Sequence, residues 1–220
     1  PGGGIWMNTQ RPEWNDANNA LVGYGLSMVT LCYLRRYLKL FARVLADRPA
    51  ENFPVSAEVA DFFTGIGEVL ASFRSLLDGS LEPGQRKAFM GALGPLGERY
   101  RERAYSGFSG DRSALGTTDL LGFIGLALEF IDHSIAANRR PDGLFHSYNL
   151  IRFDPDGYEV EHLYEMLEGQ VAVLSSCYLG PEESVALLKA LRSSPIYRSD
   201  QNSYLLYPDR PQVPFLDRNV

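Results

Sequence analysis

The sequence predicts an all-α protein of antiparallel helix pairs with one small β-hairpin. Three observations predict it. Apolar residues recur every three to four positions over most of the chain. Proline and glycine divide those runs into six segments. A single stretch, 144–160, changes to extended runs around a Pro-Asp-Gly turn. With 220 residues, 45% hydrophobic and 22% charged, the chain has enough apolar mass for one core. That composition excludes disorder, collagen-like repeats and coiled-coil rods.

Residues 1–16 hold three glycines, two tryptophans and several amides and are expected to form an irregular loop. A first helix is expected over 17–46, with Leu21, Leu26, Val29, Tyr33, Tyr37, Leu40, Phe41 and Val44 at helical spacing. Asn15 or Asp16 would cap it and Pro49 would stop it. A second spans 56–77 after Pro54 and ends at Asp78-Gly79. A third, 83–105, is interrupted by Gly91, Gly94 and Gly97 and is expected to break or kink at Pro95. Residues 106–116 read as a loop, and Thr117 or Thr118 caps a fourth helix over 119–138. The hairpin joins 144–153 to 158–160 through Asp154-Pro155-Asp156-Gly157. Helices follow over 161–179 and, opened by Pro181, over 181–192. The tail, 194–220, is rich in proline and aromatics and is expected to lie across the helical body.

The charge balance, 21 Lys+Arg against 27 Asp+Glu, gives −6. The densest basic stretch, 99–103, contains Glu102 and follows Glu98, so phosphate neutralisation along a nucleic acid is not expected. The most apolar run, 20–34, is too short to span a bilayer and ends at Arg35 and Arg36, so no membrane partner is expected. Cys32 and Cys177 sit in apolar helical patterns and read as buried free thiols, a disulfide between them being the alternative. The compartment stays open, the cytoplasm being favoured for a soluble chain. No cofactor is expected. Two groups, Glu161-His162 with Glu165 and Glu129 with Asp132 and His133, lack the spaced repeats of a metal site. The chain starts at Pro1 without a methionine and stops at Asn219-Val220, which reads as a piece of a longer polypeptide.

The densest polar string lies near the start. It runs Trp6-Met7-Asn8-Thr9-Gln10-Arg11-Pro12-Glu13-Trp14-Asn15-Asp16-Ala17-Asn18-Asn19. Indoles stack on sugar rings, while amides and carboxylates take the hydroxyls, so Trp6, Gln10, Arg11, Glu13, Trp14, Asn15 and Asn19 are candidate substrate contacts. An ordered loop with its own amides satisfied is the other reading.

Within it, Glu13-Trp14-Asn15-Asp16-Ala17-Asn18-Asn19 resembles the acidic-Trp-Asn-Asp segment of the six-hairpin glycosidases, the (α/α)6-toroid enzymes. The likeness is nearest to cellobiose and chitobiose phosphorylases, with glycogen-debranching-like enzymes close by. It implies that Asp16 is a general acid donating a proton to the glycosidic oxygen and that Glu13 contacts sugar hydroxyls. It further implies that this chain is the C-terminal part of a toroid with twice the helices read here, completed by the rest of the polypeptide or by a second copy. Ala17 stands where Gly or Cys is more usual, and no glycine-rich phosphate loop is evident, so hydrolysis is expected over phosphorolysis.

An inverting hydrolase needs a base about 6.5–9.5 Å from its acid. Glu161, Glu165 and Glu168 fall at i, i+4 and i+7 of a predicted helix, making Glu161 or Glu165 the expected base; a solvated face is the alternative. Strand alternation would put His146 and Tyr148 on one face of the hairpin as a substrate-facing pair. A third string supplies Asp200, Gln201, Asn202 and Tyr204 for the same cleft. The expected function is glycosidic cleavage of an oligosaccharide. The alternative is a non-catalytic all-α domain that binds carbohydrate or another protein.

Overall fold

The computed structural model describes residues 1–7, 21–48, 50–209 and 213–218. Its architecture is mixed α/β, which corrects the all-α expectation and with it the toroid of helix pairs. A four-stranded antiparallel sheet runs β1 (Ile5–Met7), β2 (Gly25–Ser27), β5 (Tyr148–Phe153) and β6 (Tyr158–His162), in that spatial order. Two smaller ladders pair β3 (Asn52–Ser56) with β4 (Arg112–Gly116), and β7 (Tyr197–Arg198) with β8 (Ser203–Tyr204).

The first helix, α1, spans Met28–Ala46 and is capped by Ser27, whose hydroxyl accepts from the Thr30 amide at 3.0 Å. Leu21 and Leu26, expected on its face, lie before it. Gly25 explains the strand: a Cβ there would stand 2.3 Å from the Leu21 Cβ, so only glycine permits this approach. The ladder β3–β4 puts a strand where a loop is expected over 106–116. It brings together the starts of α2 (Ala57–Ser72) and α4 (Thr117–Ala137), with the Ala57 amide bonded to the Asp111 carbonyl and the Thr117 amide to that of Glu51. After α2 a 3-10 turn covers Arg74–Asp78.

Helix α3 runs unbroken over Pro83–Ser106, straight through Pro95. Proline removes one helical donor, but Pro95 is exposed, so the carbonyl it would have met can turn to water. The start of α3 packs on the β5–β6 turn. A Cβ at Gly157 would lie 2.5 Å from the Pro83 carbonyl carbon, so the turn closes against the helix only with glycine there. The segment expected as one helix over 161–179 is strand β6 through His162, then a loop, then α5 (Leu167–Ser175). Helix α6 follows over Pro181–Arg192 as expected, and a short α7 covers Phe215–Arg218.

Helix α4 is long and apolar enough to cross a membrane by length and composition. In the fold α1 and α2 lie against it, and Ile124, Phe130, Ile131 and Ile135 are buried. One core gathers Met28, Leu31 and Cys32 of α1, Ile131 and Ile135 of α4, Phe145, Val173 of α5 and Leu187 and Leu191 of α6. A smaller cluster joins Leu70, Phe89 and Phe130 where α2, α3 and α4 meet. Cys32 is buried, as read, but Cys177 is exposed, in a left-handed turn at φ 58° after α5 has ended.

Candidate functional site

One face of α3 carries Arg86, Phe89, Leu93 and Tyr100 at helical spacing and looks across at Trp6, Ile151 and Val160 of the sheet. Between them is a cleft of about 690 Å³, in the range of small-ligand sites. Gly94 and Gly97 keep its α3 wall low: a Cβ at either would meet nothing within 4 Å. The Trp6 indole N–H donates to the Gly23 carbonyl at 3.1 Å, and its ring tilts against Phe153 at 5.5 Å between centroids. With the polar edge satisfied and 37% of the residue exposed, the ring is left as an apolar platform. Arg86, Glu98 and Arg101 place charged groups on the cleft wall. An aromatic platform with ionic hydrogen-bonding groups beside it suits a polar ring-shaped ligand.

Register decides which expected residues share this cleft. Trp6 pairs with Leu26, Leu26 with Asn149, and Asn149 with His162, so these lie on one sheet face with Ile151 and Val160. Glu161 pairs with Leu150 and Leu150 with Gly25, on the other face. Glu161 therefore points away from Trp6 and is exposed. The three glutamates do not form a helix stripe, because a strand, a loop and a helix start carry one each. Glu165 sits in the loop, largely buried, with a carboxylate oxygen 3.2 Å from the Arg140 guanidinium. Glu168, in the first turn of α5, accepts from the Tyr148 hydroxyl at 2.7 Å.

His146 and Tyr148 meet different partners, because the strand begins only at Tyr148, after a bend at Ser147. The His146 ring stacks on His162, 4.2 Å between centroids and 8° from parallel. Its Nδ1 lies 2.9 Å from the Leu163 carbonyl, which can only accept, so Nδ1 carries the proton. The His162 Nδ1 lies 2.8 Å from Asn149 Oδ1. That amide is oriented by its Nδ2, which donates to the Gly3 carbonyl and to Asn138 Oδ1. Burial pushes both imidazoles below their ordinary pKa; for His162 the adjacent His146, Arg86 and Arg140 add to the effect. Beneath the pair, Arg140 grips Asp142 through two nitrogens and holds that carboxyl below its usual range.

The tail residues form a unit of their own. Asp200 is held by Arg198 at 2.7 Å, and Asn202 accepts from Arg192 and from the Tyr197 hydroxyl. Gln201 lies in the same turn, its Oε1 3.5 Å from the Ser203 hydroxyl, and Tyr204 packs on Tyr197. None of the four lines the cleft of Trp6. Asp16, Glu13, Trp14, Asn15, Gln10, Arg11 and Asn19 lie outside the described residues, as does the start expected for the first helix. What flanks them is described. Met7 pairs with Gly25, and the Gly23 amide donates to the Met7 carbonyl at 2.7 Å, so the chain leaves and returns beside Trp6.

Arg86, Glu98, Tyr100 and His133 were not singled out as site residues. For Arg86 and Tyr100 the signal was spacing, since Arg86, Phe89, Leu93 and Tyr100 fall on one helix face that the glycines and Pro95 obscured; for Glu98 there was none. Among the described residues no group of three or more His, Cys, Asp or Glu could hold a metal ion. The sequence matches no protein-family model and no curated protein.

Proposed function

We propose that the protein binds an oligosaccharide in the cleft between α3 and the sheet and cleaves a glycosidic bond with Asp16 as general acid. The observation that carries the reading is the position of Trp6, on the cleft wall at the point where the segment bearing Asp16 departs. A stacked indole supplies apolar contact to a sugar face, and Arg86, Glu98 and Arg101 supply hydrogen bonds to hydroxyls. Cleavage requires a proton on the leaving oxygen and a base on the opposite side of the ring. Glu161 faces away and Glu165 is tied to Arg140, so neither takes the base's place in this proposal. Among the described residues the carboxylate that lines the cleft is Glu98, and the base's role falls to it.

Cello- and chito-oligosaccharides titrated into the full chain by calorimetry, with reducing-end release followed in parallel, test this reading. Trp6→Ala should weaken binding about tenfold or more, the loss of one stacked aromatic contact. Asp16→Asn should keep binding and lose turnover by about a hundredfold or more. Binding that ignores Trp6→Ala removes the cleft from the reading. Binding without turnover in the unmodified chain leaves a carbohydrate-binding domain.

A further inference from the structure

We propose that a second cavity, of about 360 Å³, is a binding site for a small oxyanion. It shares Arg86 and Val160 with the larger cleft and is completed by Gly2, Ser80, His133 and His162. The proposal stands apart from the carbohydrate reading and needs none of its residues except Arg86.

Unmet hydrogen-bonding capacity points to it. Arg86 Nε is buried without a partner, and its NH1 makes only a long contact, 3.4 Å, to the Tyr158 carbonyl. His133 Nε2 lies 2.8 Å from the Gly79 carbonyl, so that nitrogen donates, while Nδ1 is buried without a partner. Buried polar atoms in folded proteins nearly always have partners, water included, and both orphans belong to side chains that line this one cavity. None of the described residues lining the cavity is Asp or Glu. Glu82 and Glu159 act on Arg86 through space, but Glu159 is bonded to Arg152 and Glu82 lies at the start of α3. Burial works against the Arg86 charge, so an anion in the cavity would relieve it.

The two imidazoles define the chemistry further. With Nδ1 of His162 donating to Asn149 and Nε2 of His133 donating to Gly79, each neutral ring has its other nitrogen bare. An oxyanion that accepts from Arg86 would draw a proton onto one of these nitrogens, or donate its own, as dihydrogen phosphate does. The charged groups facing His162 are Arg86, Arg140 and His146, with Asp142 and Glu165 behind His146. This positive surround repels a metal cation, and a neutral ligand would bring Arg86 no counter-charge.

The test follows the His133 and His162 ring Cε1–H signals by NMR as inorganic phosphate is added to the full chain near pH 6.5, with ionic strength held by sodium chloride. Both signals should move saturably, and the apparent pKa of His162 should rise with phosphate bound. Arg86→Gln should raise the phosphate Kd about tenfold or more, the loss of one charge-assisted bond. Arg86→Lys, which keeps a cation without the fork, should still saturate, more weakly, and covers the case in which Arg86→Gln fails to fold. Acetate in place of phosphate separates a carboxylate site from a phosphoryl site. Drift that chloride reproduces, or saturation unchanged in both Arg86 variants, overturns the proposal.

Discussion

Helix α4 lies between two unlike regions of the molecule. Its Ile131 and Ile135 enter a core shared with α1, α5 and α6, while Phe123, Ala127 and Phe130 meet α2 and α3. On the first side the buried polar groups are met. Gln170 bonds both backbone groups of Phe145, and Asn138 and Asn149 bond each other and the backbone of residues 2 and 3. On the second side fewer residues are buried, the contacts are pairs of rings such as Phe62 on Tyr100, and the cleft opens beside them. The difference teaches where the fold keeps its stability and where it keeps room for a ligand.

The largest effect should come from cutting into each side in turn. Ile135 is fully buried, so Ile135→Ala should cost about 3 kcal/mol in urea denaturation, within the usual span for a cavity that cannot collapse. Leu93 is half-buried beside the cleft, and Leu93→Ala should cost about 1 kcal/mol, because its removed atoms were already partly next to open space. Equal costs at the two positions would break the contrast.

A second cut tests the ionic tie on the dense side. Arg35 is buried and donates to both oxygens of Asp132, at 2.6 and 3.1 Å, and to the Ser176 carbonyl. Asp132→Asn leaves that guanidinium without its counter-charge. Fully buried pairs lose about 3–5 kcal/mol when broken, and with the Asp132 side chain 37% exposed the expectation is nearer 2 kcal/mol. A cost near zero would show that solvent already screens the pair.

The two sides also differ in how far they can be read from residue order. Helix α6 is announced by Pro181, and the β5–β6 turn by Asp154 to Gly157, whose amides and carbonyls bond each other. Those signals are local. The β3–β4 ladder joins residues about sixty apart, so nothing near Asn52 marks it as a strand. The three-residue strands β1 and β2 are too short for alternation to show, and Leu21 and Leu26 sit at a spacing that a helix also allows. Glu161, Glu165 and Glu168 mislead for the same reason, since spacing four and three is helical only if the backbone is. Of the site, Trp6 was legible because it is aromatic in a polar string. Arg86, His133 and His162 were not, because they meet only when α3, α4 and β6 pack together.

Thiol labelling sharpens the contrast without altering a contact. Burial pushes the Cys32 thiol up to about 12, so at pH 8 it carries almost no thiolate. Cys177 is exposed. One thiol per chain should therefore react promptly with a disulfide reagent in the folded state and two in urea; prompt reaction of both would mean that the dense core opens.

The smallest effect concerns the stacked pair of His146 and His162. Both rings have a folded pKa below the 6.5 of a free imidazole, burial being the first cause. Between the folded and unfolded values the unfolded chain binds more protons, so stability rises with pH. The contribution is complete above about pH 6.5 and is lost as pH falls below it. The melting temperature should drop between pH 7.5 and 5.5, and His162→Gln should flatten that slope by removing one of the two rings. Asp142, whose carboxyl is held low by Arg140, loses its contribution only in more acid solution, where the carboxyl protonates, and leaves this window undisturbed. An unchanged slope in His162→Gln would mean that His146 and the Pro1 amine, which burial lowers to about 6, set the dependence. Phosphate added at pH 5.5 should restore part of the lost melting temperature if it binds at Arg86, because it would favour the protonated ring that burial otherwise penalises.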